Sequence, residues 1–223
     1  MIEAIIFDKD GVLFDTERLS SQSWLDFNAT SDFKVEKDFC DAIRGCNLDG
    51  IKTIFYEMYG PEADFDYVWR RHKELVVSSI EKNGVPLKPN VVNVISALSK
   101  KYPLAVASSA NGEFGRRNLK SVGLYDFFSV HIFGTDVEKS KPFPDIFLLA
   151  AEQLGKKPEN CLVCEDSING IVAATRAGCI PVMIPDLMEP TDEIRPKLAG
   201  ILENLDAIDG FITGYNQGCY HGN

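Results

Sequence analysis

The sequence has few histidines, fewer basic than acidic residues, and no long hydrophobic run. With three histidines in 223 residues, a zinc site is disfavoured, because zinc is bound mainly through histidine and cysteine. No run of about eighteen apolar residues is present, so a helix that crosses a bilayer is not expected. The formal net charge of −10 argues against nucleic acid as a partner, since phosphate backbones are bound through clustered Lys and Arg.

Cysteine is present but is not expected to form disulfides. The N-terminus, MIEAIIFD, lacks the basic region and the long apolar region of a secretion signal, so we expect a cytoplasmic location and free thiols. Cys161 and Cys164 have the C-x-x-C spacing of a metal-binding or redox motif, but they lie on a predicted strand, where residues three apart face opposite sides. We therefore expect neither a zinc nor a redox site there.

Apolar spacing divides the chain into two parts. Residues 16–83 have helix-like spacing and many aromatic residues, and the segment 84–89, GVPLKP, is typical of a linker. Beyond it, short apolar strands alternate with helices, which predicts an α/β fold: a doubly wound, Rossmann-like parallel sheet with an inserted all-helical domain. The predicted domains are a core of residues 1–15 and 86–223 and a helical insertion of residues 16–85.

The predicted elements alternate regularly after the linker. Strands are predicted over 3–8, 104–109, 129–134, 160–165 and 180–184, and helices over 90–101, 112–122, 144–154 and 167–177. The last ten residues, GYNQGCYHGN, are expected to pack weakly.

Polar side chains follow four of the predicted strands. They are Asp8 and Asp10, Ser108 and Ser109, Lys141, and Glu165 and Asp166. A parallel sheet of this type binds its ligand at the carboxyl ends of its strands, so these groups are predicted to meet at one edge.

The chemistry of these groups indicates a divalent cation. Asp8 and Asp10 are two residues apart and would project from the same side of an extended segment, while Lys9 would point elsewhere. Two carboxylates about 4 Å apart repel by roughly 4 kcal/mol at an effective dielectric of roughly 20, and Glu165 and Asp166 would add to the repulsion. An all-oxygen ligand set of this kind suits Mg²⁺. Magnesium, carboxylates and one lysine are typical of phosphoryl transfer, in which one carboxylate serves as nucleophile and another as acid and base.

Four ordered motifs resemble those of the haloacid dehalogenase superfamily over nearly the whole chain. They are Phe7-Asp8-Lys9-Asp10-Gly11-Val12, the strand ending in Ser108, Lys141-Pro142-Phe143-Pro144-Asp145, and Glu165-Asp166-Ser167 followed by Gly170 and Ala177-Gly178. The likeness is greatest to the β-phosphoglucomutase-like branch, in which a helical cap follows the first motif.

The resemblance implies a role for each matching residue. Asp8 would be the nucleophile, and Asp10 the general acid and base that also lends its backbone carbonyl to the metal. Ser108 would bind the transferring phosphoryl group, and Lys141 would neutralise it while bracing Asp8. The implied Mg²⁺ ligands are Asp8, Asp10, Asp166 directly and Glu165 through water. The dehalogenases of the superfamily lack an acid at the position of Asp10 and need no metal. Because Asp10 is present, the chain resembles the phosphotransferases of the superfamily instead.

The expected substrate is a small phosphorylated metabolite, hydrolysed by a monomeric enzyme. A sugar phosphate mutase is the alternative, but the histidine and arginine of β-phosphoglucomutases are replaced here by Ser20 and Leu48. A phosphoryl-ligand-binding domain without turnover is the second alternative. Candidate substrate or phosphate contacts are Lys9, Ser109, Asn111, Gly45, Cys46 and Asn47. Lys9 would offer its backbone N–H to phosphate, with its side chain reaching either the cap or solvent.

Overall fold

The computed structural model describes residues 1–44, 46 and 48–219. The chain divides into two compact units. The core unit contains Met1–Phe14 and the chain from Leu87 onward, and the helical unit contains Asp15–Pro86. The exit and return segments of the core unit pair with each other, because the Lys88 backbone N–H donates to the Leu13 carbonyl over 2.9 Å.

The described residues of the helical unit confirm the prediction of helices without strands. Its helices are α1 (Thr16–Thr30), α2 (Lys37–Ala42), α3 (Leu48–Tyr59) and α4 (Phe65–Asn83). They enclose an aromatic cluster in which Trp24, 3% exposed, meets Phe27 and Phe39 edge to face. Asp64 caps the start of α4 through its side chain, and Gly84 follows the end of α4 with a positive φ of 81°.

The core unit is built on a parallel sheet of six strands among the described residues. The strands are β1 (Ala4–Phe7), β2 (Leu104–Ser108), β3 (Val130–Phe133), β4 (Cys161–Glu165), β5 (Ile180–Met183) and β6 (Gly200–Ile201). Their order is β3-β2-β1-β4-β5-β6, and every pair is parallel. β1, β2, β4 and β5 are buried at every position, and their sequences are apolar except for the last residues of β2 and β4, Ser108 and Glu165.

Five helices of the described chain belong to the core unit. They are α5 (Val91–Leu98), α6 (Gly112–Ser121), α7 (Asp145–Gln153), α8 (Ile168–Arg176) and α9 (Ile208–Asn216). On one face of the sheet, alanines of the strands and helices pack around the fully buried Phe147 of α7. Truncation of Phe147 to alanine would cost about 3–5 kcal/mol of stability.

The strand order locates the functional edge of the sheet. From β1 the chain builds outward through β2 and β3, and it then returns to the other side of β1 to form β4, β5 and β6. The direction of winding therefore changes between β1 and β4, and such a change opens a crevice at the carboxyl ends of the two strands. The predicted doubly wound parallel fold with an all-helical insertion is confirmed.

Two terminal elements, β6 and α9, were not predicted. The expectation of a weakly packed tail is wrong for residues 214–216, because they form the last part of α9. The side chain of Asn216 accepts a hydrogen bond of 2.7 Å from the backbone N–H of Ile2 and thereby ties the two termini together. Residues 220–223 of the tail lie outside the described residues. In the part of the chain that the structure describes, none of the helices has the length and apolarity needed to cross a bilayer.

Candidate active site

The polar groups predicted to meet do so at the carboxyl ends of β1, β2 and β4. Asp8 directly follows β1, and its backbone N–H donates to the Cys164 carbonyl of β4 over 2.9 Å. Ser108 is the last residue of β2, and Glu165 is the last residue of β4. The sheet ladder therefore fixes the backbone of all three before any side chain interacts.

Lys141 joins two of these strands through its side chain. The ammonium is buried and lies 2.5 Å from Oδ1 of Asp8 and 2.5 Å from Oε1 of Glu165. It also donates to the carbonyl of Ala107 over 3.2 Å, so its three donors have three acceptors. The peptide bond between Lys141 and Pro142 is cis. The loop after β3 thus delivers one fixed positive charge to the carboxylate of Asp8.

Glu165 holds Lys141 in place. Its Oε1 accepts from Lys141, and its Oε2 accepts from the backbone N–H groups of Asp166 and Ser167 and from the Ser167 hydroxyl, at 2.8–2.9 Å. Gly170 leaves room for this carboxylate, because a Cβ there would overlap the side chain of Glu165. Both oxygens therefore already have partners, and these contacts argue against direct ligation of a metal by Glu165, whereas the predicted contact through water stays a prediction.

Asp10 is held by two donors and is more open to solvent than Asp8. Ser108 Oγ donates to Oδ2 of Asp10 over 3.3 Å, and Lys9 Nζ lies 2.5 Å from Oδ1. The Asp10 side chain is 29% exposed, whereas the Asp8 side chain is 9% exposed. A carboxylate with access to water is suited to exchanging protons, and a buried one beside a lysine is suited to nucleophilic attack.

Asp166 approaches the turn that carries the first two aspartates. Gly11 has a φ of 81°, and a Cβ at this position would overlap the carboxylate of Asp166. Glycine is therefore required here both by the backbone conformation and by the close approach of Asp166. The predicted pairing of the first and fourth motifs is seen in this contact.

The site carries more negative than positive charge. Lys141 is shared by two carboxylates, and burial alone would lower its pKa, but Asp8 and Glu165 outweigh burial and raise it. Burial raises the pKa of Asp8 to about 7, and although Lys141 opposes this, Glu165 and Asp10 act in the same direction as burial. The two ammonium groups, of Lys141 and Lys9, thus do not neutralise the four carboxylates, and a further cation beside Asp8 would stabilise its anionic form.

The other predicted contact residues have mixed positions. Ser109 is exposed next to Ser108. Asn111 uses its side-chain oxygen to cap α6, where it accepts from two backbone N–H groups at 3.1 and 3.2 Å. Cys46 is half-buried in the helical unit, and burial raises the pKa of its thiol. Gly45 and Asn47 lie outside the described residues.

The side chain of Lys9 takes a position that the sequence reasoning missed. The prediction that it points away from its neighbours and reaches the cap or solvent is wrong as to solvent, because Lys9 is 1% exposed and contacts Asp10. The alternation of an extended segment does not apply here, since β1 ends at Phe7 and the chain bends at Lys9 before the turn of residues 11–13. The only feature of the sequence that could have indicated this contact is that Lys9 adjoins an acid at the end of a strand.

Known proteins resemble this chain over most of its length. Residues 2–178 match the model of the haloacid dehalogenase-like hydrolase family. A phosphorylated carbohydrates phosphatase of Thermotoga maritima is 32% identical over 181 residues, which cover 79% of this chain and 82% of that protein. The fructose-1-phosphate phosphatase YqaB of Escherichia coli (strain K12) is 29% identical over 174 residues, which cover 78% of this chain and 92% of that protein.

A solved structure shows the same fold. The crystal structure of a β-phosphoglucomutase from Clostridium difficile matches 99% of this chain and 100% of its own with a TM-score of 0.77. The identity is 22%, so this likeness concerns the fold alone. The family match over residues 2–178 confirms the membership predicted from the four motifs: the chain belongs to the haloacid dehalogenase-like hydrolases.

Proposed function

We propose that this hydrolase cleaves a small phosphomonoester, a sugar phosphate or a related metabolite, through a phosphorylated Asp8. The proposal is carried by the buried Asp8 carboxylate, which Lys141 contacts at 2.5 Å on Oδ1. Two relatives are named as phosphatases of phosphorylated sugars, which supports the substrate class. We further propose that residues 16–85 act as a cap that selects the substrate.

The arrangement supplies a group for each step. In the first step, the Asp8 carboxylate attacks phosphorus, the bond from phosphorus to the leaving oxygen breaks, and Asp10 gives that oxygen a proton. In the second step, Asp10 takes a proton from water while the water oxygen attacks phosphorus, which releases inorganic phosphate and restores Asp8. Lys141 holds Asp8 in both steps. Ser108 is predicted to donate to the transferring phosphoryl group, for which its hydroxyl must turn away from Oδ2 of Asp10.

The donors around Asp8 fit a bound Mg²⁺. Asp8, Asp10 and Asp166 offer oxygen atoms only, and burial raises the pKa of Asp8, so a bound cation would favour its anionic form. Among the described residues, no three His, Cys, Asp or Glu side chains are gathered closely enough to hold a metal by themselves. Mg²⁺ usually keeps several waters and takes one or two carboxylates, so a small ligand set is sufficient. The bound ion would supply positive charge to the carboxylates and to the phosphoryl oxygens.

The experiment is a phosphate-release assay over a panel of phosphomonoesters, with and without Mg²⁺. We expect release from at least one sugar phosphate in the presence of Mg²⁺, and a loss of about a thousandfold or more in Asp8→Asn. Lys156→Met is a suitable control, because Lys156 pairs with Glu3 near the amino ends of β1 and β4, at the opposite edge of the sheet.

The assay separates the alternatives. A mutase would release no phosphate from any ester but would interconvert sugar phosphates when given a bisphosphate activator. A binding domain without turnover would do neither. Equal activity of Asp8→Asn and wild type would contradict the role of Asp8 in either enzyme.

A further inference from the structure

We propose that Lys9 is a positioning residue for the acid and base of the reaction: its ammonium fixes the carboxylate of Asp10. This inference rests on the proposed function, because it assigns to Lys9 an effect on the proton transfers made by Asp10. It gives the side chain of Lys9 a role other than phosphate binding.

The first observation is the burial of Lys9. Its side chain is 1% exposed, and its Nζ lies 2.5 Å from Oδ1 of Asp10. Desolvation makes a buried ammonium unfavourable unless it is paired, and an apolar residue would fill the same space without that cost. The pair with Asp10 therefore accounts for the presence of a charged group in a buried position.

The second observation is the rigid support of the ammonium. The carbonyl of Lys9 accepts from the backbone N–H groups of Leu13 and Phe14, both at 2.9 Å, and these bonds close the turn after β1. The ammonium lies 5.1 Å from the centre of the Phe14 ring, which is fully buried. A cation over an aromatic face is attracted by the ring, and the attraction grows when water is excluded. The same turn thus fixes both the backbone of Lys9 and the ring beneath its side chain.

The third observation is the orientation of Asp10 between two donors. Lys9 contacts Oδ1, and the Ser108 hydroxyl donates to Oδ2 over 3.3 Å. These two contacts set the plane of the carboxylate. The ammonium on Oδ1 therefore limits how far the Asp10 carboxylate can rotate. Acid and base catalysis depends on such placement within hydrogen-bond reach.

The test compares two substrates that differ in their need for a proton. A sugar phosphate from the panel releases an alcohol that leaves poorly unless it is protonated, whereas p-nitrophenyl phosphate releases a phenolate that needs no acid. For Lys9→Met, we expect kcat/KM to fall about tenfold with the sugar phosphate and to stay within about twofold with p-nitrophenyl phosphate. The ratio of the two values is measured on one sample, so it does not depend on the folded fraction.

A double-mutant cycle supplies the second readout. In the background of Asp10→Asn, the further change Lys9→Met should alter kcat/KM by no more than about twofold with either substrate. The reason is that the carboxylate that Lys9 positions is already lost. Lys156→Met, which removes a lysine at the opposite edge of the sheet, should leave the ratio unchanged. If Lys9→Met does not fold as judged by circular dichroism, the polar and neutral Lys9→Gln carries the same test.

Three results would overturn the role of Lys9. These are an equal loss with both substrates, no loss with either, and a loss that multiplies with that of Asp10→Asn. Asp8→Asn is measured in the same assay, and its full activity would contradict the proposed function instead. The two failures are therefore distinguishable.

Discussion

Substitution of Glu165 by glutamine tests whether this residue anchors Lys141 or binds metal. The amide must turn its NH₂ group either toward Lys141 or toward the three donors on Oε2. With the NH₂ group toward Lys141, only the hydrogen bond from Lys141 is lost, whereas the other orientation loses three. A charge-assisted hydrogen bond of this kind is worth about 1.5–3 kcal/mol. Removal of the Glu165 charge also relieves its repulsion of Asp8, so we expect a net loss of about 2 kcal/mol in the free energy of unfolding.

The kinetic signature should differ from that of a metal ligand. Glu165→Gln should lower kcat about tenfold or more, because Lys141 loses one of its two carboxylate partners, yet leave the Mg²⁺ concentration for half-maximal activity within about threefold. Asp166→Asn should raise that concentration about tenfold or more. Chemical denaturation and Mg²⁺ titration of the activity measure these quantities. A rise of Mg²⁺ requirement in Glu165→Gln equal to that in Asp166→Asn, with unchanged stability, would refute the reasoning.

Two further predictions concern a buried histidine and a close glycine. His72, 4% exposed, has its pKa lowered by burial from 6.5 to about 4, so the unfolded chain binds more protons than the native one below about pH 6.5. Between about pH 7.5 and about pH 4.5, wild type should therefore lose about 2.5 kcal/mol of unfolding free energy relative to His72→Phe, and an unchanged difference would contradict this. Gly11→Ala should raise the Mg²⁺ requirement by displacing Asp166, whereas Gly178→Ala, which also has a positive φ but meets no atom within 4 Å, should not. Equal effects of the two changes would show that backbone strain alone is responsible.

The position of the site followed from the sequence because backbone rules fix it. Continuous apolar runs such as residues 4–7 identify the buried parallel strands, and their carboxyl ends bring Asp8, Ser108 and Glu165 together whatever the side chains do. The prediction of a helical segment over residues 16–83 succeeded for a similar reason, since its aromatic residues recur with helical spacing. Local patterns were sufficient for both results.

Side-chain partners could not be predicted in the same way. The sequence shows four acids and two lysines, but only the folded chain shows that Lys141 spans Asp8 and Glu165 and that Oε2 of Glu165 is occupied by three donors. The contact between Lys9 and Asp10 depends on where β1 ends, and a shift of one residue in that boundary reverses the expected direction of the side chain. The short strand β6 likewise lacks a run long enough to be recognised.

The central claim, a phosphoryl group carried by Asp8, is tested most directly by acid quenching of Asp10→Asn mixed with p-nitrophenyl phosphate and Mg²⁺. The phenolate leaves without an acid, but the second step lacks its base, so the phosphorylated enzyme should accumulate. Mass spectrometry of the digested protein should then find one phosphoryl group on the peptide that contains Asp8, and none in Asp8→Asn. Release of p-nitrophenol with no phosphorylated peptide, or with the phosphoryl group on another residue, would contradict the account.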